Sequence, residues 1–319
     1  MKLDQKELGA IKKALEGATT VLLIPHKNPD GDTIGSAFGL YNTLLEMGKK
    51  PTVACIDEPP PVFKFIPGIE TIQVGIDHID YDVIIIVDAG ATHLTGVNEQ
   101  YPQLFDKSRE VINIDHHPTN DYYGKYNVVV PTAAATTMII YQMLVDMDFP
   151  LSRQTATALL TGIYTDTGSF IHSNTNSEAL RIAARLLARG ANLRGISKDI
   201  FNTTKISTMR LWGRVLKNTY QTPDGVTMSV VKQKDFEECK ATYDEMSGVV
   251  DYVNSVPNAS YSVILTEKGG AVKGSLRTLN DHIDVSAIAS HYGGGGHTKA
   301  AGFTVKGRLE QELRWKVVD

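Results

Sequence analysis

The sequence predicts an α/β protein: a mostly parallel sheet flanked by helices, followed by a smaller α/β domain at the C-terminal end. Three observations predict it. Through residues 1–120, short continuous β-branched runs alternate with longer stretches of helical periodicity, the pattern of strand–helix–strand crossovers. Polar residues stand directly after several of those runs, where an open parallel sheet presents its ligand-binding edge. Beyond Tyr220 helical patterning gives way to strand-like runs, and 319 residues is a prior for about two domains.

Taken in order, Met1-Lys2-Leu3-Asp4-Gln5-Lys6 leads into a charged helical stretch, with no apolar signal core. Residues 19–24 (TTVLLI) read as a buried strand, being short, continuous and β-branched. Over 33–47, Ile34, Phe38, Tyr41 and Leu45 recur at helical spacing, and Gly48 is a stop. Residues 51–56 (PTVACI) form the next strand, closed by Pro59-Pro60-Pro61, and 83–87 (VIIIV) and 111–114 (VINI) are two more. Residues 133–190 are mainly helical. Leu180, Ala183, Ala184, Leu186 and Leu187 mark one apolar face there, ending at Arg189-Gly190. The expected domains are a catalytic domain at 1–190, a helical linker at 191–219 and a second domain at 220–319. In the last, 226–231, 260–266 and 271–276 are strand-like, and Lys268-Gly269-Gly270 makes a hairpin turn.

Bulk properties narrow the function classes. At 42% apolar and 21% charged residues the chain can bury a sizeable core. A net charge of −4 disfavours a protein that clings to long nucleic acid through its phosphates. Cys55 and Cys239 have no metal-binding or disulfide spacing and read as reduced thiols. No apolar run approaches the roughly 18 residues needed to span a bilayer, and a cytoplasmic location is expected.

Five segments carry the chemistry: His26-Lys27-Asn28-Pro29-Asp30-Gly31-Asp32, Asp88, Asp115-His116-His117, Thr165-Asp166-Thr167-Gly168 and Gly293-Gly294-Gly295-Gly296-His297. Read alone, most have ordinary structural roles. Asp32 suits a helix N-cap, Asp88 and Asp166 suit turns or caps, and four glycines suit a flexible turn. Adjacent histidines after a buried strand are harder to place, because unpartnered imidazoles there lose hydration without compensation. Together the first four segments bring carboxylates and imidazoles to one sheet edge. Such donors without thiolate favour Mn²⁺ or Mg²⁺ over structural zinc. Two such ions can activate a water and clamp the oxygens of a phosphate ester.

These motifs resemble those of the DHH superfamily of phosphoesterases, whose triplet stands here as Asp115-His116-His117. His26-x-Asn28-Pro29-Asp30-Gly31-Asp32-x-Ile34-Gly35-Ser36, Asp88 and Gly162-Ile163-x-Thr165-Asp166-Thr167-Gly168-x-Phe170 are similar to further family motifs. Gly274-Ser275-Leu276-Arg277 and Gly293-Gly294-Gly295-Gly296-His297-x-x-Ala300-Ala301-Gly302 resemble the DHH-associated C-terminal domain. The resemblance implies that His26 and Asp30 hold one divalent cation and Asp32, His116 and Asp166 another, with Asp88 bridging; Mn²⁺ is the expected ion, with Mg²⁺ or Co²⁺ as alternatives. It implies a hydrogen-bonding or acid role for His117 near the scissile phosphate and an orienting role for Asp115. Arg277, His297 and the backbone of Gly294, Gly295 and Gly296 would hold a substrate phosphate, in an active site between the two domains. Size and layout are nearest the short-oligoribonucleotide branch. Its members degrade RNA of a few nucleotides, and several remove the 3′-phosphate of 3′-phosphoadenosine 5′-phosphate. Ile171 stands where that branch often carries a basic residue. Cyclic dinucleotides or their linear products are the alternative substrates, and a nucleotide-binding module without catalysis is the rival from another class. A homodimer is compatible with the resemblance; long duplexes and membranes are not expected partners.

Overall fold

A computed structural model of the chain describes residues 1–201 and 204–310. It divides into two compact units, Met1–Thr203 and Thr204–Asp319.

The first unit opens with α1 (Gln5–Gly17), whose N-cap Asp4 accepts hydrogen bonds from the Lys6 and Glu7 amides. Then follow β1 (Thr20–Pro25), α2 (Gly31–Glu46), β2 (Lys50–Cys55), β3 (Gln73–Val74), β4 (Val83–Val87), β5 (Val111–Asp115) and β6 (Tyr126–Val129). Four helices complete it: α3 (Thr136–Asp146), α4 (Arg153–Asp166), α5 (Ser177–Ala188) and α6 (Leu193–Phe201). Among the described residues the strands form one sheet in the order β3-β2-β1-β4-β5-β6, with every neighbouring pair parallel.

Continuous apolar runs make these strands because both faces are covered. Val21 and Leu23 of β1, with Val83, Ile85 and Val87 of β4, enter one core with α2, α3 and α4. Leu22, Ile24, Ile84 and Ile86 point to the opposite face and pack with Ile79, Val97 and Leu104. A slip of one residue would exchange the two sets, so burial fixes the register.

Several local expectations are refined. The helix after β1 begins at Gly31, two residues before the periodicity suggested, and its N-cap is Asp30, which accepts from the Asp32 and Thr33 amides. Asp32 therefore lies inside the first turn and is not the cap. On α5 the buried stripe is Ala179, Ile182, Ala183 and Leu186, whereas Leu180 and Leu187 are exposed. A 3.6-residue period carries only that first set round to the core. β3 and β6 were not foreseen; the former is two residues long, and the latter lacks a continuous apolar run.

The stretch expected as a linker holds two helices. Ile196 of α6 is buried in the first unit's core. In the second unit, Leu211 and Val215 of α7 (Ile206–Lys217) are buried with Phe236, Val249 and Ile264. That unit continues with β7 (Tyr220–Gln221), β8 (Thr227–Val231), α8 (Gln233–Cys239), α9 (Val249–Asn254), β9 (Ser262–Lys268) and β10 (Ala271–Arg277). It ends in α10 (Val285–His291), β11 (Gly295–His297) and β12 (Ala300–Lys306). The strand order is β11-β12-β10-β9-β8-β7, antiparallel except for β8 with β9. Gly269 and Gly270 join β9 to β10 with φ of 56° and 77°, the left-handed pair a tight hairpin requires. No helix among the described residues is long and apolar enough to cross a membrane.

Candidate metal centre

The strand order of the first unit reverses between β1 and β4, and such a switch point opens a crevice at the carboxyl ends of the strands. His26 follows β1, Asp88 follows β4 and Asp115-His116-His117 end β5, so adjacent strands deliver their polar residues to that crevice. Asp30 and Asp32 come from the start of α2 and Asp166 from the end of α4. The two helices touch backbone to side-chain position. A Cβ on Gly35 would lie 2.5 Å from Ala158 O, and one on Gly162 would lie 2.5 Å from Asp32 Oδ1. Asp88 itself takes the left-handed conformation, φ 59°, which turns the chain sharply as it leaves β4.

Three donor triads result, each with its ligand atoms within 4.8 Å of one another: His26–Asp30–Asp88, Asp32–His116–Asp166 and Asp88–His116–His117. His26 Nε2 is 3.8 Å from Asp30 Oδ1 and 3.6 Å from Asp88 Oδ2. His116 Nε2 is 3.6 Å from Asp88 Oδ1 and 3.5 Å from Asp166 Oδ2. The Nδ1 atoms of both rings face backbone oxygens, Lys27 O at 2.7 Å and Ala133 O at 3.2 Å. With Nδ1–H donating there, Nε2 is the nitrogen each ring turns to the carboxylates and the one with which it could ligate a cation.

Electrostatics tests whether these residues fit a cation. Burial, together with the charges of Asp88, Asp166 and Asp30, pushes the Asp32 carboxyl well above the usual range. Burial beside Asp88 and Asp30 pushes Asp166 up to about 8. Burial disfavours a charged His26, yet hydrogen bonds to Asp30 and Asp88 outweigh it and hold the imidazolium up to about 11. Asp30 moves the other way: burial would raise it, but His26 and the Thr33 amide hold it below its ordinary value. The cluster thus gathers more carboxylates than the His26 imidazolium offsets, and Asp32 and Asp166 resist ionisation for that reason. Oxygen and imidazole donors around it fit a divalent cation.

Asp115 is fully buried and belongs to none of these triads. Its Oδ1 accepts from His117 Nδ1 at 2.7 Å and its Oδ2 from Asn120 Nδ2 at 2.7 Å. Burial opposes its charge, but His117 and Asn120 lower its pKa; the reciprocal bond raises that of His117. Asn120 bonds in turn to Asn113, and Asn113 to Asn127, so a chain of amides anchors the pair.

Thr136 and Thr137 were not singled out from the sequence. The N-cap of α3, Ala135, has no side-chain acceptor. Asp32 supplies it, accepting from the Thr136 amide at 2.6 Å, the Thr137 amide at 3.1 Å and Thr137 Oγ1 at 2.7 Å. Thr136 Oγ1 donates to Asp88 Oδ1 at 2.8 Å. The available signal was Thr-Thr opening an apolar helix without a capping residue before it.

The remaining expected site residues belong to the second unit. Arg277 pairs across β12 with Ala300, which pairs with His297 on β11. Residues in one register row share a face, so two strand spacings, roughly 10 Å, separate Arg277 from His297 on the same side of the sheet. The glycines have a packing reason: a Cβ on Gly294 would lie 2.1 Å from Gly302 O, and one on Gly296 2.6 Å from Ala300 O. The Gly294 amide donates to Ala289 O at 2.9 Å, so it is not free for an anion; Gly295 and Gly296 lie in the exposed β11.

Fold and cluster together define a class: an α/β protein with carboxylate–imidazole triads for divalent cations at the switch point of a parallel sheet. The chain belongs to the DHH family. Residues 20–163 match the DHH family N-terminal domain and residues 225–318 the DHHA1 domain, as the motif reading expected. The chain is 32% identical over 299 residues to the bifunctional oligoribonuclease and PAP phosphatase NrnA of Thermus thermophilus, covering 93% of this chain and 87% of that one. The protein of the same name from Bacillus subtilis is 25% identical over 293 residues, covering 90% and 89%. Among solved structures, an exopolyphosphatase-related protein from Bacteroides fragilis matches with a TM-score of 0.83 at 25% identity, over 98% of this chain and 93% of that one.

Proposed function

We propose that the chain is a cytoplasmic, metal-dependent phosphoesterase that hydrolyses very short oligoribonucleotides and 3′-phosphoadenosine 5′-phosphate. The observation that carries this reading is the sharing of Asp88 between His26–Asp30 on one side and His116–His117 on the other, with Asp32 and Asp166 completing a further triad on His116. In this reading His26 and Asp30 hold one divalent cation, Asp32, His116 and Asp166 a second, and Asp88 bridges them. Mn²⁺ suits the mixed oxygen and nitrogen donors. When bound, the cations would lower the pKa of a water toward neutrality and balance the charge of the phosphoryl oxygens. The relatives named as oligoribonuclease and PAP phosphatase support the substrate class.

The side chains around the cations have separate tasks. Asp115 holds the His117 Nδ1 proton, which leaves Nε2 as the atom turned to substrate. Because that contact raises the His117 pKa, the ring is available as imidazolium to protonate the leaving oxygen. Thr136 and the first amides of α3 orient Asp88 and Asp32, so the helix N-terminus steadies the carboxylates. Arg277 and His297 take a phosphate of the substrate, the guanidinium through its planar fork. A net charge of −4 accords with substrates that carry few phosphates.

The test is hydrolysis of two- to five-nucleotide RNA, the bisphosphate and linear and cyclic diadenylate, with Mn²⁺, by wild type and Asp88→Ala. Metal-dependent cleavage of short RNA or bisphosphate, lost in the variant, is expected. If neither is cut, or both proteins cut alike, the reading fails; preferential turnover of the diadenylates would reassign the substrate.

A further inference from the structure

We propose that the second unit carries an accessory groove for the backbone of a single-stranded oligonucleotide, formed by α7 and the junction of β8 with α8. The groove has a volume of about 860 Å³. Arg210, Arg214 and Lys217 line it from α7 at i, i+4 and i+7, hence from one helical face. Lys232 and Lys234 line it just after β8. Like charges at this helical spacing weaken a helix, so the row is not explained by helix stability.

Arg214 is neutralised locally by Asp235 at 2.9 Å and Glu238 at 2.6 Å. Among the described residues, no ion pair joins Arg210, Lys217, Lys232 or Lys234 to a carboxylate. The acids in the lining are Asp235, already bonded to Arg214, and Glu310. Among the described residues this is a local excess of positive charge in a chain of net charge −4. Tyr220 stands within it, 53% exposed, with its hydroxyl bonded to Met228 Sδ at 3.1 Å. A tethered aromatic ring among cations is the chemistry that holds single strands: phosphates on the cations, a base stacked on the ring.

The groove is distinct from the Arg277–His297 row. Arg277 shares a register row with Ser262 and Thr227, at the start of β8. Lys232 follows the end of that strand, roughly 16 Å further along at a rise of about 3.3 Å per residue. The groove thus goes beyond the proposed activity and rests on that reading only for its ligand class: it would retain strands longer than the active site needs.

The experiment is fluorescence anisotropy of a labelled twelve-nucleotide RNA with the full chain in EDTA, titrated over a range of salt. Binding is then measured without hydrolysis, so it stands or falls separately from turnover of short RNA. Lys217→Gln with Lys234→Gln should flatten the plot of log affinity against log salt by about 1.4, and weaken binding about 25-fold at 0.1 M salt. Tyr220→Ala should weaken binding of the single strand with little change in the salt slope. Circular dichroism checks that each variant is folded. The same affinity and slope for wild type and the lysine double variant, no RNA binding by wild type, or equal binding of a duplex of the same length would each overturn the proposal.

Discussion

Replacing Asp166 by Asn should stabilise the metal-free protein while abolishing its use of metal. Asp32 and Asp166 place ligand oxygens within 4.8 Å of each other. At an effective dielectric constant of about 20, two unit charges at that separation repel by about 3 kcal/mol. The elevation of Asp166 from 3.8 to about 8 gives a second figure, on the order of 5 kcal/mol at about 1.4 kcal/mol per tenfold change in proton affinity. Burial is the first cause of that elevation, with the charges of Asp88 and Asp30 adding to it, and because the side chain is 24% accessible the smaller figure is the one to use. Asn is isosteric and neutral, so a gain of about 3 kcal/mol is expected at pH 8. In a unit of this size that is roughly 6–12 °C in melting temperature. The sign with pH follows from the raised pKa: a folded carboxyl that keeps its proton while the unfolded one releases it loses stability as pH rises from 3.8 to about 8. The advantage of Asp166→Asn should therefore be small near pH 4 and largest at and above pH 8. Thermal unfolding in EDTA across that range measures it. A variant no more stable than wild type at pH 8, or an advantage independent of pH, would refute the account of the cluster as an excess of carboxylates over imidazolium.

Gly162→Ala should impair metal binding although residue 162 carries no ligand atom. Its Cβ would stand 2.5 Å from Asp32 Oδ1 and from Thr137 Cγ2, both buried; the rise in melting temperature that Mn²⁺ gives wild type should be lost. Asn120→Ala removes the donor to Asp115 Oδ2 and strips a partner from buried Asn113. It should destabilise by about 2 kcal/mol in urea unfolding and lower kcat about tenfold or more. Asp115→Asn should shift the alkaline decline of kcat to lower pH, because the raised His117 pKa depends first on that carboxylate; an unmoved limb would argue against His117 as the acid.

Much of this was legible in the sequence, for identifiable reasons. Buried parallel strands such as 83–87 announce themselves because both faces need apolar side chains. Polar residues directly after them fall at the sheet edge by topology alone, which is why His26, Asp88 and His116 could be named. Asp166 was less evident, since a helix ending in Asp looks the same whether it caps or coordinates. The threonines of α3 were hidden because their role is relational: Ala135 fails to cap, and a carboxylate 104 positions earlier does so. β6 was missed because its pattern is too short to differ from a loop. The close glycines of α2 and α4 could not be interpreted without knowing which helix faces which.

Asp88 adds one consequence. A non-glycine residue at φ 59° holds a conformation that glycine adopts freely and asparagine tolerates. Both replacements are one nucleotide change from an aspartate codon, and either relaxes the backbone while removing a charge from a crowded pocket. Loss of this carboxylate would therefore leave a well-folded protein without the group that the proposed centre uses as its bridge. A lineage can drift from catalyst to silent receptor through this position at little risk to the fold, and a glycine or asparagine here is the mark by which a descendant that had done so could be recognised.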